Sequence, residues 1–324
     1  MSPHKSGHFN GTHFFNPESA HHAQIRGRSG LLRLIRARLL RDRKSWASWP
    51  ARIENKPYPP PDPSTPSITW IGHSSFLLCL GTGMNVLTDP VFSERCSPVR
   101  FAGPKRVRAP GLSIEALPDI HLILLSHNHY DHMDIASLRL IRHRFPAAHI
   151  VTSLGNAAFL KRKRLPGATE LDWWETTTLH DAHITATPSK HFAARTLRDR
   201  NETLWAGFML NHHGQKIYFA GDSGYTKFFS EIRHRLGAPD LALLPIGAYA
   251  PREMMAAMHI NPVEAVQAFQ DLSAKRAIGM HFGTFQLTAE AIGAPEQELA
   301  VALTDADISP ERFFTLDVGE TAPL

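Results

Sequence analysis

The stretch Ser126-His127-Asn128-His129-Tyr130-Asp131-His132 carries the strongest signal in this sequence. It follows the apolar run 120–125, which has the length of a strand, and it precedes residues 133–140, which begin an amphipathic helical pattern. Its candidate metal ligands are His127, His129, Asp131 and His132. A tight turn can direct them toward two adjacent ions, and imidazole with carboxylate favours zinc or a similar divalent ion. A histidine-rich surface loop is the alternative, and it is disfavoured because the ligand spacing and the strand-loop-helix context agree.

Three further candidate ligands, His191, Asp222 and His281, each end a short apolar segment later in the chain. If these segments are strands, their ends place the three side chains on one rim of a sheet. A single His or Asp at a strand end is usually structural or solvated. Four ligand-bearing loops together indicate a metal site.

Several stretches outside the His-rich motif are also informative, and most of them contain no candidate ligand. They are Trp70-Ile71-Gly72-His73-Ser74-Ser75, Leu87-Thr88-Asp89-Pro90-Val91-Phe92-Ser93, Gly103-Pro104-Lys105-Arg106, Leu171-Asp172-Trp173-Trp174-Glu175, Pro188-Ser189-Lys190-His191, Pro245-Ile246-Gly247-Ala248-Tyr249 and His281-Phe282-Gly283-Thr284-Phe285. The His-x-His-x-Asp-His motif resembles the signature of the metallo-β-lactamase superfamily. The other stretches resemble its N-acylphosphatidylethanolamine-hydrolysing phospholipase D branch, from about Ile68 to the C-terminus. One departure is Met258, where the mammalian enzymes carry Gln before the residue that matches His259.

This resemblance implies an α/β fold, the αββα metallo-β-lactamase sandwich, with the metal site at one edge of its two sheets. It implies two Zn²⁺ or similar divalent ions. The first would be held by His127, His129 and His191, the second by Asp131, His132 and His281, and Asp222 would bridge both. The implied catalytic residues are Asp131, Asp222 and His259. The implied reaction is attack of a metal-bound hydroxide on phosphorus in an N-acylphosphatidylethanolamine-type phospholipid, giving phosphatidic acid and N-acylethanolamine.

The sequence is also compatible with other functions. A metal-dependent lactonase or another phosphoesterase could use the same fold, and a non-catalytic membrane-associated protein could retain it. The filled ligand positions disfavour the last of these. No nucleic-acid partner is expected, because no appended basic or aromatic RNA-binding segment is evident. A homodimer is open.

Composition narrows the class of partner. The chain has 324 residues, a net charge of +5 and a pI of about 9.3, which favour an anionic partner: a phospholipid surface, a phosphate ester or a nucleic acid. An ordinary basic soluble protein is the alternative. Two cysteines cannot form a disulfide framework. With neither a secretory signal nor a long apolar run, the expected location is cytoplasmic, with a peripheral position on the inner face of the membrane left open.

The sequence divides at a Pro-rich segment. Residues 1–66 read as a basic N-terminal extension and linker, and residues 67–324 as the hydrolase domain. Within the extension, residues 31–44 form a basic amphipathic pattern that could lie on an anionic membrane. Around Phe101, the side chains of Arg100, Lys105, Arg106 and Arg108 could meet lipid phosphates. Helices are predicted over 137–145, 154–164, 225–236, 262–272 and 296–304, with Asn261 capping the fourth.

Overall fold

The computed structural model describes residues 7–17 and 46–324, whose strands form two seven-stranded mixed sheets. In spatial order, the first sheet contains β14 (Thr321–Pro323), β1 (Ser67–Gly72), β2 (Ser75–Cys79), β3 (Asn85–Thr88), β4 (Leu122–Leu125), β5 (His149–Ser153) and β6 (Thr169–Leu171). The second contains β13 (Phe313–Phe314), β12 (Arg276–Met280), β11 (Leu241–Pro245), β10 (Gln215–Phe219), β9 (Gly207–His212), β8 (Ala182–Thr187) and β7 (Thr176–Leu179).

The central strands are apolar on both faces because both faces are covered. In β4, Leu122 and Leu124 join the core between the sheets, whereas Ile123 and Leu125 join a separate cluster on the outer face of the first sheet. β4 pairs in parallel with β3 and β5, and parallel strands of this kind read as continuous apolar runs. This explains why residues 120–125 show no polar alternation.

Helices complete the two outer layers. They are α1 (Ile135–Arg144), α2 (Asn156–Arg162), α3 (Phe228–Leu236), α4 (Arg252–Met255), α5 (Pro262–Leu272) and α6 (Ala294–Asp305). Leu138 of α1 and Leu160 of α2 pack on the first sheet, and Phe269 of α5 and Leu299 of α6 pack in the core that contains the second. The predicted αββα sandwich is therefore confirmed.

The five predicted helices are present, with ends that differ from the predicted ends by at most three residues. The predicted cap of α5 is also confirmed, since Asn261 and Glu264 form a reciprocal capping box. Sequence reasoning missed the edge strands β6, β7, β13 and β14 and the single turn α4. These elements are two to four residues long, too short for an apolar period to appear.

The described part of the N-terminal region packs on the sandwich. Phe14 lies in the core between the sheets, and the ring of His8 stacks on Trp173 with centroids 4.1 Å apart. Trp49 Nε1 donates to Glu290 O, and Tyr58 OH donates to Asp317 Oδ2. The amphipathic pattern predicted over residues 31–44 lies outside the described residues. Among the helices that the structure describes, none combines the length and the apolar character needed to cross a membrane.

Candidate metal centre

The candidate ligands all follow strands whose carboxyl ends meet at one edge of the sandwich. In the first sheet β1, β3 and β4 run in one direction, and in the second β8, β10 and β12 do so. We call residues 126–133, which follow β4, the His-rich loop. The side chains that follow the other five strands are His73, Asp89, His191, Asp222 and His281. The structure thus brings together all seven ligands predicted from the sequence.

Four of these side chains form a first group, whose potential ligand atoms lie within 4.8 Å of one another: His127, His129, His191 and Asp222. His127 Nε2 and His129 Nδ1 are 2.8 Å apart, and His191 Nε2 is 3.3 Å from His129 Nδ1. Around a tetrahedral zinc ion, ligand atoms lie about 3.3 Å apart, given bonds near 2.0–2.1 Å. The spacing of this group therefore suits one ion.

A second group with the same mutual spacing contains His73, Asp131, His132 and His281. Asp222 Oδ2 lies beside both groups, at 3.1 Å from His132 Nε2, 3.2 Å from His281 Nε2 and 3.6 Å from His191 Nε2. One carboxylate thus faces ligand atoms of both groups. This arrangement could hold two ions with Asp222 between them.

Outer partners orient several of these rings. His132 Nδ1 lies 2.6 Å from Asp89 Oδ2, His191 Nδ1 donates to Met258 O at 2.9 Å, and His127 Nδ1 lies 2.9 Å from Ser126 Oγ. Each contact leaves Nε2 facing the centre of the cluster. Outer-sphere partners of this kind fix the tautomer and direction of metal-binding histidines.

Several buried polar atoms in the cluster have no hydrogen-bond partner. They include Nε2 of His132, both ring nitrogens of His281, and Asp222 Oδ1. A buried polar atom without a partner is costly and calls for an explanation, such as an ion. The donor set and these atoms therefore fit divalent metal ions.

The electrostatics of the site are dominated by burial and by two carboxylates. Burial lowers the pKa of His129 and of His259 to about 4 each, so both rings are neutral and can act as ligands. Burial acts the same way on His281, but Asp222 and Asp131 outweigh it and raise the pKa of His281 to about 9. Burial opposes ionisation of Asp222, yet His132 and His281 hold its pKa well below the usual range.

Local backbone geometry supports the placement of two ligands. Gly221, before Asp222, has φ +59°, and a Cβ there would lie 2.8 Å from Ser126 Cβ, so no larger residue fits. His281 has φ 63° although it is not glycine, and its N–H donates to His73 O at 3.1 Å. Non-glycine residues at positive φ cost energy and concentrate at functional sites.

His259 lies at the margin of the cluster, with Nδ1 3.9 Å from Asp222 Oδ2 and its ring centroid 5.0 Å from that of His191. His259 therefore lies next to the first and second groups of candidate ligands but is a member of neither. The structure also adds residues that sequence reasoning did not assign as site residues, namely Asp89, and Arg195 in the loop after His191. The sequence signal for Asp89 is its position directly after an apolar strand, in Thr88-Asp89-Pro90.

Arg195 holds the His-rich loop from outside. Its Nη1 donates to Asn128 O at 2.7 Å and to Met133 O at 2.8 Å, and its guanidinium lies 3.9 Å from the ring centroid of Tyr130. Asn16 Nδ2 donates to His191 O at 2.8 Å. No sequence motif predicts the contacts of Arg195 and Asn16, because each joins residues that are far apart in the chain.

The expectation that Arg106 meets lipid phosphates is wrong. The residue is buried, and its guanidinium donates to Val91 O at 2.7 Å and to Ser93 O at 3.0 Å. Burial of the guanidinium lowers the pKa of Arg106 to about 10. The guanidinium also donates to Arg108 O. Arg106 therefore links three main-chain carbonyls inside the protein and does not face solvent.

Comparison with known proteins shows the family and supports the fold. The family model of the β-lactamase superfamily domain matches residues 84–282. The chain is 37% identical over 265 residues to "N-acyl-phosphatidylethanolamine-hydrolyzing phospholipase D 1" of Caenorhabditis elegans, covering 78% of this chain and 74% of that protein. It is 36% identical over 260 residues to the mitochondrial protein of that name from Saccharomyces cerevisiae, covering 78% and 55%. The structure of Igni18, a metallo hydrolase from Ignicoccus hospitalis, has a TM-score of 0.60 at 21% identity, covering 79% of this chain and 97% of that one, and it supports the fold alone.

Proposed function

We propose that this chain, a metal-dependent hydrolase of the β-lactamase superfamily and of its N-acylphosphatidylethanolamine-hydrolysing phospholipase D family, cleaves N-acylphosphatidylethanolamines. The proposed reaction uses two divalent metal ions, preferably zinc. The products would be phosphatidic acid and an N-acylethanolamine. The hydrolase domain would comprise residues 67–324, an assignment supported by the first strand, which begins at Ser67.

The position of Asp222 Oδ2 carries the two-ion proposal. It lies 3.1 Å from His132 Nε2 of one group and 3.6 Å from His191 Nε2 of the other. We assign His127, His129 and His191 to one ion, Asp131, His132 and His281 to the second, and Asp222 to both. When bound, two ions supply a water that deprotonates near neutral pH and positive charge for a phosphate oxygen.

The protein's own residues orient and confine the reaction. Asp89 holds the ring of His132 through Nδ1, and Met258 O holds that of His191, so neither ring can rotate as charge moves in the site. His259, at the margin, would contact the phosphate or the leaving alcohol. A new P–O bond forms with the water oxygen, the P–O bond to the ethanolamine oxygen breaks, and that oxygen takes up a proton.

The experiment that tests the substrate is direct. Purified protein is incubated with a panel of phosphodiester lipids in oxygen-18 water, and the products are identified by mass spectrometry. We expect N-acylphosphatidylethanolamine to be consumed, with label in phosphatidic acid and none in N-acylethanolamine. Label in the alcohol would instead mean carbon–oxygen cleavage. Turnover of sugar-phosphate lactones without any lipid turnover would replace the phospholipase proposal with a lactonase.

Elemental analysis of protein purified without chelator tests the ion count. We expect two divalent ions per chain. Full activity at one ion per chain would contradict the assignment of Asp222 to both.

A further inference from the structure

Two loops at the metal edge carry large apolar side chains that face solvent. Among the described residues, the exposed large hydrophobic side chains are those of Val99, Phe101, Leu140, Leu197, Val263 and Val301. Leu140, Val263 and Val301 lie on α1, α5 and α6. Phe101, 84% exposed, and Val99 lie in residues 95–105, the hairpin loop, and Leu197, 74% exposed, lies in residues 193–201, the arginine loop.

Hydrogen bonds hold the base of each loop, so the exposure of the tips does not result from a loosely packed backbone. In the hairpin loop, Arg95 and Lys105 form an antiparallel bridge and Cys96 N donates to Pro104 O at 3.2 Å. In the arginine loop, Asp199 Oδ1 accepts from the backbone N of Arg195 and of Thr196, at 3.0 and 2.7 Å. Each tip is therefore held out at a defined position.

Both loops contact one residue of the His-rich loop, Tyr130. Tyr130 packs against the cluster of Val91, Cys96 and Phe285 at the base of the hairpin loop. Tyr130 also contacts the guanidinium of Arg195, which lies 3.9 Å from the ring centroid of Tyr130. Both loops are therefore anchored on the His-rich loop, which carries four of the candidate ligands.

Cationic side chains accompany the tips. Arg100 adjoins Phe101 and Arg198 adjoins Leu197, and both arginines are exposed. Fixed apolar side chains flanked by arginine match a phospholipid interface, where the apolar groups enter the acyl boundary and the guanidinium groups meet phosphates. The net charge of +5 favours the same surface.

We propose that the tips of the hairpin loop and the arginine loop, at Phe101 and Leu197, enter the phospholipid bilayer and bring the metal edge to the headgroup layer. The inference rests on the proposed function, since a bilayer-resident phosphodiester can reach a buried cluster only if the rim of that cluster approaches the bilayer. It assigns the occupant of this rim as lipid and not as a second copy of the chain.

An environment-sensitive fluorophore tests the insertion in the full chain. It is attached in turn to Phe101→Cys, Leu197→Cys and the matched control Val301→Cys, with labelled wild type as the blank because Cys79 and Cys96 are buried. The probe vesicles contain phosphatidylethanolamine and phosphatidylglycerol. We expect a blue shift at positions 101 and 197 when vesicles are added and none at 301.

Substitution measures the contribution of each tip. Phe101→Ser and Leu197→Ser should each weaken vesicle co-sedimentation about tenfold, because each removes an apolar side chain from the acyl boundary. Val301→Ser, which changes an exposed apolar side chain on α6, away from both loops, should change vesicle co-sedimentation less than about twofold. Phosphatidylcholine vesicles should bind more weakly, and salt should weaken binding to the anionic ones.

Two results would overturn the proposal. One is the absence of a shift at 101 and 197, whether or not the protein sediments with vesicles. The other is a shift that grows with protein concentration without lipid, which would make the rim a contact between copies. A dispersed short-chain N-acylphosphatidylethanolamine separates this test from the proposed function, because wild type and Phe101→Ser should hydrolyse it equally. If neither hydrolyses it, the substrate proposal fails while the fluorescence still reports on insertion.

Discussion

The carboxylate of Asp222 faces both groups of candidate ligands. Its Oδ2 lies within 3.9 Å of ring nitrogens from five histidines. Asp222→Asn keeps the shape and removes the charge. We expect activity to fall about a hundredfold or more, because loss of a metal ligand costs at least as much as loss of its outer partner. Turnover and metal content measure the effect. Asp305→Asn, an exposed carboxylate on α6, is the control, and an active Asp222→Asn protein with full metal content would refute the bridging role.

Arg195 acts one step away from the ligands. Arg195→Ala leaves Asn128 O and Met133 O without this donor and removes the cation from the face of Tyr130, so the His-rich loop should become less rigid. We expect metal affinity to fall about tenfold, with the circular dichroism spectrum unchanged. Arg195→Lys should give an intermediate loss, since lysine keeps the charge without the planar fork.

The rate at which metal passes to a chelator is the measurement for Arg195. Arg198→Ala in the same loop is the control, because the described contacts of Arg198 involve its backbone N–H. Equal rates in the Arg195→Ala and Arg198→Ala proteins would show that Arg195 does not secure the ligands.

At the scale of elements, α5 shows how a helix starts at the site. The helix begins directly after His259-Ile260, and Asn261 Oδ1 accepts from Glu264 N at 2.9 Å while Glu264 Oε2 accepts from Asn261 N at 3.2 Å. Asn261→Ala should lower the free energy of unfolding by about 1 kcal/mol. Urea denaturation measures it. Gln267→Ala, at a solvent-facing position in the middle of α5, is the control and should lower the free energy of unfolding less. An equal loss in both proteins would show that Asn261 does not stabilise the start of the helix.

For the whole molecule, Asp317 ties the segment before β1 to the segment before β14. Hydrogen bonds from Lys56 and Tyr58 hold the pKa of Asp317 below its usual range. A depressed carboxyl pKa adds stability that is complete above the unfolded value near 3.9 and is lost as pH falls through the folded value. Wild type should therefore be more stable than Asp317→Asn near pH 7, by a modest amount since the pair is partly exposed.

The pH series supplies the check on this tie. Urea midpoints of wild type and Asp317→Asn should converge as the pH falls through the lowered folded pKa of Asp317, because the wild-type carboxyl is protonated only below that pKa. A difference that stays constant over this range would mean that the tie is not ionic. Asp305→Asn again serves as the control, since Asp305 is an exposed carboxylate at the end of α6.

Local pattern determined much of this protein. The apolar run 120–125, the ligand spacing after it, and the Asn261-Pro262-Glu264 start signal are written in neighbouring residues, so a strand, a ligand loop and a capped helix could be predicted from sequence. The order of His191, Asp222 and His281 behind apolar segments predicted one rim. Resemblance, not residue pattern, supplied the expected division of the ligands between two ions.

Tertiary structure decided the rest, because the deciding contacts join residues far apart in the chain. Asp89 meets His132 across 43 positions, and Arg195 meets Asn128 across 67. The short edge strands form only because a neighbouring strand offers a partner, as Thr176 finds in Thr185. The sequence predicts Arg106 to be a surface cation, but in the structure it is buried and donates to three main-chain carbonyls. Burial and pairing depend on the packed sandwich, and no local pattern of residues encodes them.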